Sequence, residues 1–95
     1  MLLELDIKPR AKKFIESLPP KHKRQMKDCI LSLQNNPTPH DTKKLIGYEH
    51  YLGVDVGEYR VIYRYEDKKE LVTVVLIGKR NDDEVYRQFK SIYKK

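Results

Sequence analysis

The stretch Val56–Asp67, VGEYRVIYRYED, combines a turn with a strand that carries two cations. Gly57 and Glu58 form a turn signal, and the β-branched and aromatic residues of Tyr59–Tyr65 predict a sheet strand. Arg60 and Arg64 nevertheless interrupt this apolar run. Because an unpaired buried charge is very costly, each arginine must either reach an edge of the sheet or meet an anion. That anion is either a carboxylate of this chain, with Glu58 and Glu66 as candidates for Arg60, or a group from outside the chain that meets Arg60 on an open face of the sheet.

The segments on both sides of this stretch also predict strands. Tyr51–Val56, YLGVDV, alternates with period two. Glu70–Arg80, ELVTVVLIGKR, is rich in β-branched residues and follows a second turn, EDKK. Strands that are joined by tight turns pair antiparallel. We therefore predict a three-stranded antiparallel meander over residues 51–80.

Helical patterns lie on both sides of this meander. Apolar residues recur at helical spacing in Arg10–Leu18 and in Lys21–Asn35, with two prolines between them, and Leu2–Ile7 predicts a short strand before them. Residues 81–95 predict a last helix, with Asn81 as its cap and Asp82, Asp83 and Glu84 at its positive end. The predicted fold is α+β: an N-terminal strand, an α-helical hairpin, a three-stranded antiparallel meander and a C-terminal helix.

Composition restricts the classes of function. The 95 residues allow a single domain, residues 1–95, and a net charge of +6 favours a polyanion or an acidic protein as partner. One cysteine, Cys29, excludes an intrachain disulfide and fits a reducing cytoplasm. We identify no signal peptide in MLLELDIK and no apolar run that would span a bilayer, so we expect a cytoplasmic protein with no membrane partner.

Three stretches resemble the RelE/ParE superfamily of bacterial and archaeal toxins, and the resemblance covers nearly the whole chain in the same order of elements. They are Lys43–Tyr48 (KKLIGY), Val56–Tyr65 (VGEYRVIYRY), and Gly78–Arg80 followed by Val85 and Tyr86. The ending IGKRNDDEVY is most similar to the RelE branch. The resemblance implies a RelE-like fold and a toxin of a type II toxin–antitoxin module. It also implies a cognate acidic antitoxin, RelB-like, that carries an amphipathic helix.

For the RelE branch, the resemblance implies a ribosome-dependent mRNA endonuclease that needs no metal and no small-molecule cofactor. The 2′-hydroxyl next to the scissile phosphate attacks it in the ribosomal A site. Such a reaction needs a base, cations that stabilise the phosphate charge, and an acid for the leaving oxygen. Arg60 and Arg80 match the family's phosphate-binding arginines. Tyr86 matches the tyrosine that stacks on or orients the substrate.

The chain departs from the family at the general base. RelE toxins carry a basic pair on the strand before the GEYR turn, and the equivalents here are Leu52 and Val54, or Gly53 and Asp55. Neither alternative supplies a lysine or an arginine. Asp55 is the nearest replacement, either as the base or as a structural partner of an arginine. Two further candidates, Glu49 and His50, lie just upstream.

Other basic residues are candidate RNA contacts or, alternatively, part of a solvated surface. We assign Lys43, Lys44, Arg64 and Lys79 to RNA binding. A further candidate is the basic group at the start of the second helix, which consists of Lys21, His22, Lys23, Arg24 and Lys27. The three histidines and Cys29 lack metal-ligand spacing, so we expect no metal site.

Two other functions fit the same sequence. One is a non-catalytic ParE-like inhibitor of DNA gyrase, which the missing basic pair favours. The other is a degenerate toxin that only binds its antitoxin. In each case we expect the antitoxin to displace the helix at residues 82–93 or to fill the groove near Arg60.

Overall fold

The computed structural model describes residues 2–81 and 84–93. Strands and helices follow one another in the order predicted from the sequence, with one short additional strand. In chain order they are β1 (Glu4–Ile7), α1 (Pro9–Glu16), α2 (Pro20–Ser32), β2 (Lys43–Lys44), β3 (Tyr51–Val56), β4 (Tyr59–Glu66), β5 (Leu71–Lys79) and α3 (Glu84–Ile92).

The strands form one sheet in the order β1-β5-β4-β3-β2. The antiparallel meander β3-β4-β5 occupies its centre, as the sequence predicts. β1 pairs parallel with β5 at one edge, and β2 pairs antiparallel with β3 at the other. The two-residue strand β2 was not predicted, because KKLIGY has no period-two pattern. It sets Lys43 opposite Gly53 and Lys44 opposite Leu52.

The helices pack on both faces of the sheet. α1 and α2 cover one face, where they enclose the larger apolar cluster with inward residues such as Val61 and Tyr63. α3 covers the other face, where Val85 and Phe89 pack against Ile62 and Leu76. A bulge in β5 turns both Val75 and Leu76 toward α3, because the register shifts where Ile62 gives way to Tyr63.

This second face corrects one expectation about Arg60. From the sequence we expected its side chain on an open face of the sheet, but α3 lies on that face and the side chain is only 14% exposed. Its carboxylate partner is Asp55, which we considered as a structural partner of an arginine, and not Glu58 or Glu66. Glu66 pairs with Arg64 instead.

The predicted element bounds hold closely. α2 ends at Ser32 rather than Asn35, and the EDKK turn contains a 3₁₀ turn at Asp67–Lys69 with Glu70 at a positive φ of 52°. α3 begins at Glu84, while the predicted contributions of Asp82 and Asp83 to its start lie outside the described residues. Within residues 2–81 and 84–93, no helix has the length and apolar character to cross a bilayer.

Candidate phosphate-binding site

The site is centred on a cross-strand ion pair between β3 and β4. The strand register places Asp55 directly opposite Arg60. Arg60 Nε donates to Asp55 Oδ1 at 2.6 Å, and Arg60 Nη2 donates to Oδ2 at 3.3 Å. A planar guanidinium and a planar carboxylate therefore meet side by side, which is the strongest geometry for this pair. This contact answers how a cation is accommodated in so apolar a strand.

Arg80 brings a second guanidinium to the same carboxylate. It follows the end of β5, where its backbone N–H donates to the carbonyl of Glu58 at 3.0 Å. That bond ties Arg80 to the β3–β4 turn, and its Nη1 lies 3.5 Å from Asp55 Oδ2. The Arg80 side chain is half exposed, so part of its donor surface faces solvent.

Tyr86 reaches the pair from α3. The guanidinium carbon of Arg60 lies 4.8 Å from the centre of the Tyr86 ring, a distance at which a cation and an aromatic face attract each other. A glycine makes this approach possible, because a Cβ at Gly53 would lie 3.2 Å from the Tyr86 hydroxyl oxygen. Gly78 likewise leaves room for α3, since a Cβ at this position would lie 3.1 Å from the Cβ of Val85.

The register resolves which residues of β3 face the arginines. Leu52 and Val54 are buried in the cluster beneath α1 and α2, so their side chains point away from Arg60. Gly53 and Asp55 lie on the face of Arg60, as successive side chains of a strand alternate. Sequence reasoning left this choice open because it depends on the number of residues in the turn.

The contacts of Asp55 favour a partner role over a base. Both carboxylate oxygens accept hydrogen bonds from arginine side chains. The hydrogen bond from Arg60, followed by the charges of Arg60 and Arg80, holds the pKa of Asp55 below its usual value despite partial burial. A carboxylate with a lowered pKa is a weaker proton acceptor. The other two base candidates, Glu49 and His50, line a different cavity beside Tyr48 and Tyr65.

Lys43 and Lys44 belong to a segment next to the cluster formed by Asp55, Arg60, Arg80 and Tyr86. Both are exposed on β2, and both line a cavity of about 360 Å³ between the segment that contains β2 and α3. Lys43 pairs with Gly53 and so shares the face of Arg60, whereas Lys44 pairs with Leu52 on the opposite face of the sheet. Tyr86 lines the same cavity and also contacts Arg60, so the cavity adjoins the arginine pair through this tyrosine. Arg87 and Lys90 of α3 add two cations that we did not single out from the sequence. Tyr86 and Lys90 are four residues apart and so share one face of the helix, and this spacing could have indicated Lys90 from the sequence.

Arg64 and Lys79 are not brought to this cluster. Arg64 shares the face of Arg60, but its Nε lies 3.2 Å from Glu66 Oε1 and its guanidinium covers the ring of Tyr51. Lys79 pairs in register with Tyr59, whose side chain packs beneath α1 and α2. By strand alternation, Lys79 therefore points away from Arg60.

The lowered pKa of Asp55 predicts a specific pH dependence of stability. The ionised carboxylate stabilises the folded chain at pH values above the usual pKa of 3.8, and this contribution is lost as the pH falls through the lower folded-state value. We expect wild type to be more stable than Asp55→Asn near neutral pH and the difference to shrink below about pH 5. Urea unfolding across this range measures it.

A matched control is Asp28→Asn, which removes an exposed carboxylate of α2. The difference between wild type and this variant should change much less with pH. A stability difference for Asp55→Asn that stays constant down to acidic pH would contradict the ion pair described here.

Comparison with known proteins identifies the family. Residues 5–84 match the family described as ParE toxin of type II toxin-antitoxin system, parDE. RelE1 of Methanocaldococcus jannaschii is 33% identical over 66 residues, which are 66% of this chain and 73% of that protein.

Solved structures of RelE toxins have the same fold. The RelE–RelB complex from Pyrococcus horikoshii OT3 matches with a TM-score of 0.78 and 26% identity over 86% of this chain and 99% of that chain. An arginine-to-alanine double mutant of E. coli toxin RelE in the free state matches with a TM-score of 0.78 and 28% identity, over 98% of this chain and 100% of that chain. The chain therefore belongs to the RelE/ParE superfamily, as a RelE-like toxin of a type II toxin–antitoxin system.

Proposed function

We propose that the chain inhibits translation as a ribosome-dependent mRNA endonuclease, which cuts in the A site by 2′-hydroxyl attack on the neighbouring phosphate. The observation that supports this most is the convergence of Arg60, Arg80 and Tyr86 on one point of the sheet. These residues match the family's substrate-binding positions. The action takes place in the cytoplasm, with ribosome and mRNA as partners.

Each residue has a distinct role in this proposal. Arg60 and Arg80 hold the scissile phosphate, because two guanidiniums present parallel N–H donors to its oxygens. Their positive charge stabilises the additional negative charge of the pentacoordinate phosphorus. Tyr86, in contact with Arg60, orients the nucleotide, and its hydroxyl lies near the β3 backbone at Gly53. Lys43 and Lys44 contact RNA backbone nearby, with mainly salt-dependent affinity.

Charge stabilisation carries more of this proposed chemistry than a positioned base does. In the free chain Asp55 is paired with the arginines, and Gly53 has no side chain to accept a proton. The proposed mechanism needs no metal and no cofactor, since the nucleophile belongs to the substrate. The 2′-oxygen bonds to phosphorus as the bond to the 5′-oxygen breaks, and solvent water takes the hydroxyl proton and supplies a proton to the leaving oxygen. Loss of either arginine should therefore remove a large part of the rate enhancement.

We expect Arg60→Ala and Arg80→Ala each to reduce cleavage of mRNA on programmed ribosomes by about 10²-fold or more. The measurement is primer extension of mRNA after incubation with purified protein. Arg10→Ala, on α1 at the opposite face of the sheet, is the charge-matched control and should cut at the wild-type rate. Cuts should fall within the A-site codon, and naked mRNA should remain largely intact.

The residues of β3 that face Arg60 favour a second candidate function, that of a non-catalytic toxin. The β3 positions that face Arg60 hold Gly53 and a carboxylate already paired with arginine, so the expected basic base is missing. A non-catalytic ParE-like toxin would need no base. If the wild-type chain leaves mRNA intact on ribosomes, the endonuclease proposal is wrong. Inhibition of gyrase supercoiling in the same preparation would then support the second function, and neither activity would indicate a degenerate toxin.

We further propose an acidic, RelB-like antitoxin as the cognate partner. The chain carries a net charge of +6, and cations from β2 and α3 line the cavity beside the cluster. Two structural neighbours of at least 25% identity were solved as RelE with RelB, from Pyrococcus horikoshii OT3 and from E. coli. The antitoxin inhibits either by displacing α3 or by filling the groove near Arg60.

Hydrogen exchange of the toxin alone and in its antitoxin complex distinguishes the two modes. Displacement of α3 predicts a loss of amide protection over Glu84–Ile92, whereas groove filling predicts added protection at β2 and in the β3–β4 turn. The exposed residues of α1 provide the internal reference. A complex in which α3 keeps its protection and the groove residues are unchanged would contradict both modes.

A further inference from the structure

We propose that Asp55 selects against free RNA, because its carboxylate occupies the place of an RNA phosphate between Arg60 and Arg80. The inference rests on the proposed function, in that the two arginines bind a phosphate of the substrate. It adds that phosphate binding requires the displacement of an internal competitor. Asp55 is thus a specificity-determining residue and does not act as the general base.

The geometry of the carboxylate supports this role. One of its oxygens accepts from Arg60 at 2.6 Å, and the other lies 3.3 Å from Arg60 and 3.5 Å from Arg80. The same oxygen therefore bridges two guanidiniums, as an oxygen of a clamped phosphate would. Arginine binds carboxylate and phosphate through the same parallel pair of N–H donors. Asp55 and an RNA phosphate consequently compete for the same donors.

Charge makes this competition unequal for a phosphate without other contacts. The two arginines and Asp55 together carry one positive charge, whereas the arginines alone would carry two. A phosphodiester that approaches the intact cluster meets a like charge within a few ångströms, and this repulsion lowers its affinity. The substitution Asp55→Asn nearly preserves the size of the side chain and removes that charge.

The strand position of Asp55 limits how far it can withdraw. It lies within β3, whose backbone pairs with β4, and its side chain is one-third exposed. Arg60 is largely buried and packs on Tyr86, whereas Arg80 is half exposed at a strand end. Exchange therefore begins at Arg80, the weaker and more exposed of the two contacts, and Asp55 rotates toward solvent as the phosphate replaces it.

The consequence is a requirement for additional contacts. A free strand offers little to offset the loss of the Asp55 contacts. A strand presented by a larger assembly is held by contacts beyond those of this chain, and these supply the free energy that displaces the carboxylate. Selectivity for presented RNA then follows from one internal ion pair.

The experiment measures binding of a fluorescein-labelled single-stranded RNA with a 2′-deoxy linkage that prevents cleavage, by fluorescence anisotropy over a salt series. We expect Asp55→Asn to lower the Kd about tenfold at low salt, the effect of removing one nearby like charge. The dependence of log Kd on log salt concentration should steepen by about 0.7, equivalent to one further phosphate contact. Circular dichroism verifies folding of each variant.

Three further variants make the outcome decisive. Asp28→Asn changes net charge equally on exposed α2 and should leave the Kd near wild type. Asp55→Glu keeps the charge and should keep weak binding. Asp55→Ser removes the charge with a smaller side chain, so it replaces Asp55→Asn if that variant does not fold. Equal gains for Asp28→Asn and Asp55→Asn, or no gain for any uncharged residue at this position, would overturn the inference.

Arg60→Ala separates this inference from the proposed function. If it weakens RNA binding while removal of the Asp55 charge brings no gain, only the competitor role fails. If Arg60→Ala and Arg80→Ala each leave the Kd unchanged, both in the wild-type background and in Asp55→Asn, the arginines do not bind RNA phosphate and the proposed function fails as well.

Discussion

The register between β3 and β4 sets Asp55 directly opposite Arg60, and this pairing determines the arrangement of the site. A guanidinium in so apolar a strand needs a carboxylate partner, and the partner fixes its orientation. Arg80 then joins from the end of β5 through the same carboxylate oxygen that contacts Arg60 Nη2. A slip of one residue would place Asp55 among the apolar side chains beneath α1 and α2 and separate the two arginines.

α3 completes the site because two strands carry glycine where it crosses. Gly53 leaves room for the Tyr86 hydroxyl, and Gly78 leaves room for Val85. The glycine at 53 also occupies one position where the family's basic pair was expected. The missing basic side chain and the close approach of Tyr86 are therefore two consequences of the same residue. A longer side chain there would have to share its space with the tyrosine.

Much of the fold could be predicted from the sequence, because it depends on local patterns. Alternation in Tyr51–Val56 and helical spacing in α1 and α2 gave the elements and nearly their bounds. The two-residue β2 and the parallel docking of β1 beside β5 depend on contacts distant in sequence, so no local pattern indicated them.

The candidate site was less predictable than the fold. Arg60, Arg80 and Tyr86 were identified through the resemblance, and the structure brings all three together. The partner of Arg60 depends on strand register, so the sequence left Glu58, Glu66 and Asp55 open. The cations Arg87 and Lys90 were missed because their relevance depends on how α3 faces β2.

Side-chain NMR measures whether Arg60 and Arg80 together hold an RNA phosphate. The Nε–H signals of the arginines would be followed while a non-cleavable single-stranded RNA is added to Asp55→Asn. Binding of one phosphate by both arginines predicts that the signals of Arg60 and Arg80 shift together and saturably, with little change at Arg10 and Arg24 on the helices of the opposite face. Shifts at Arg10 and Arg24 with none at Arg60 and Arg80 would contradict it.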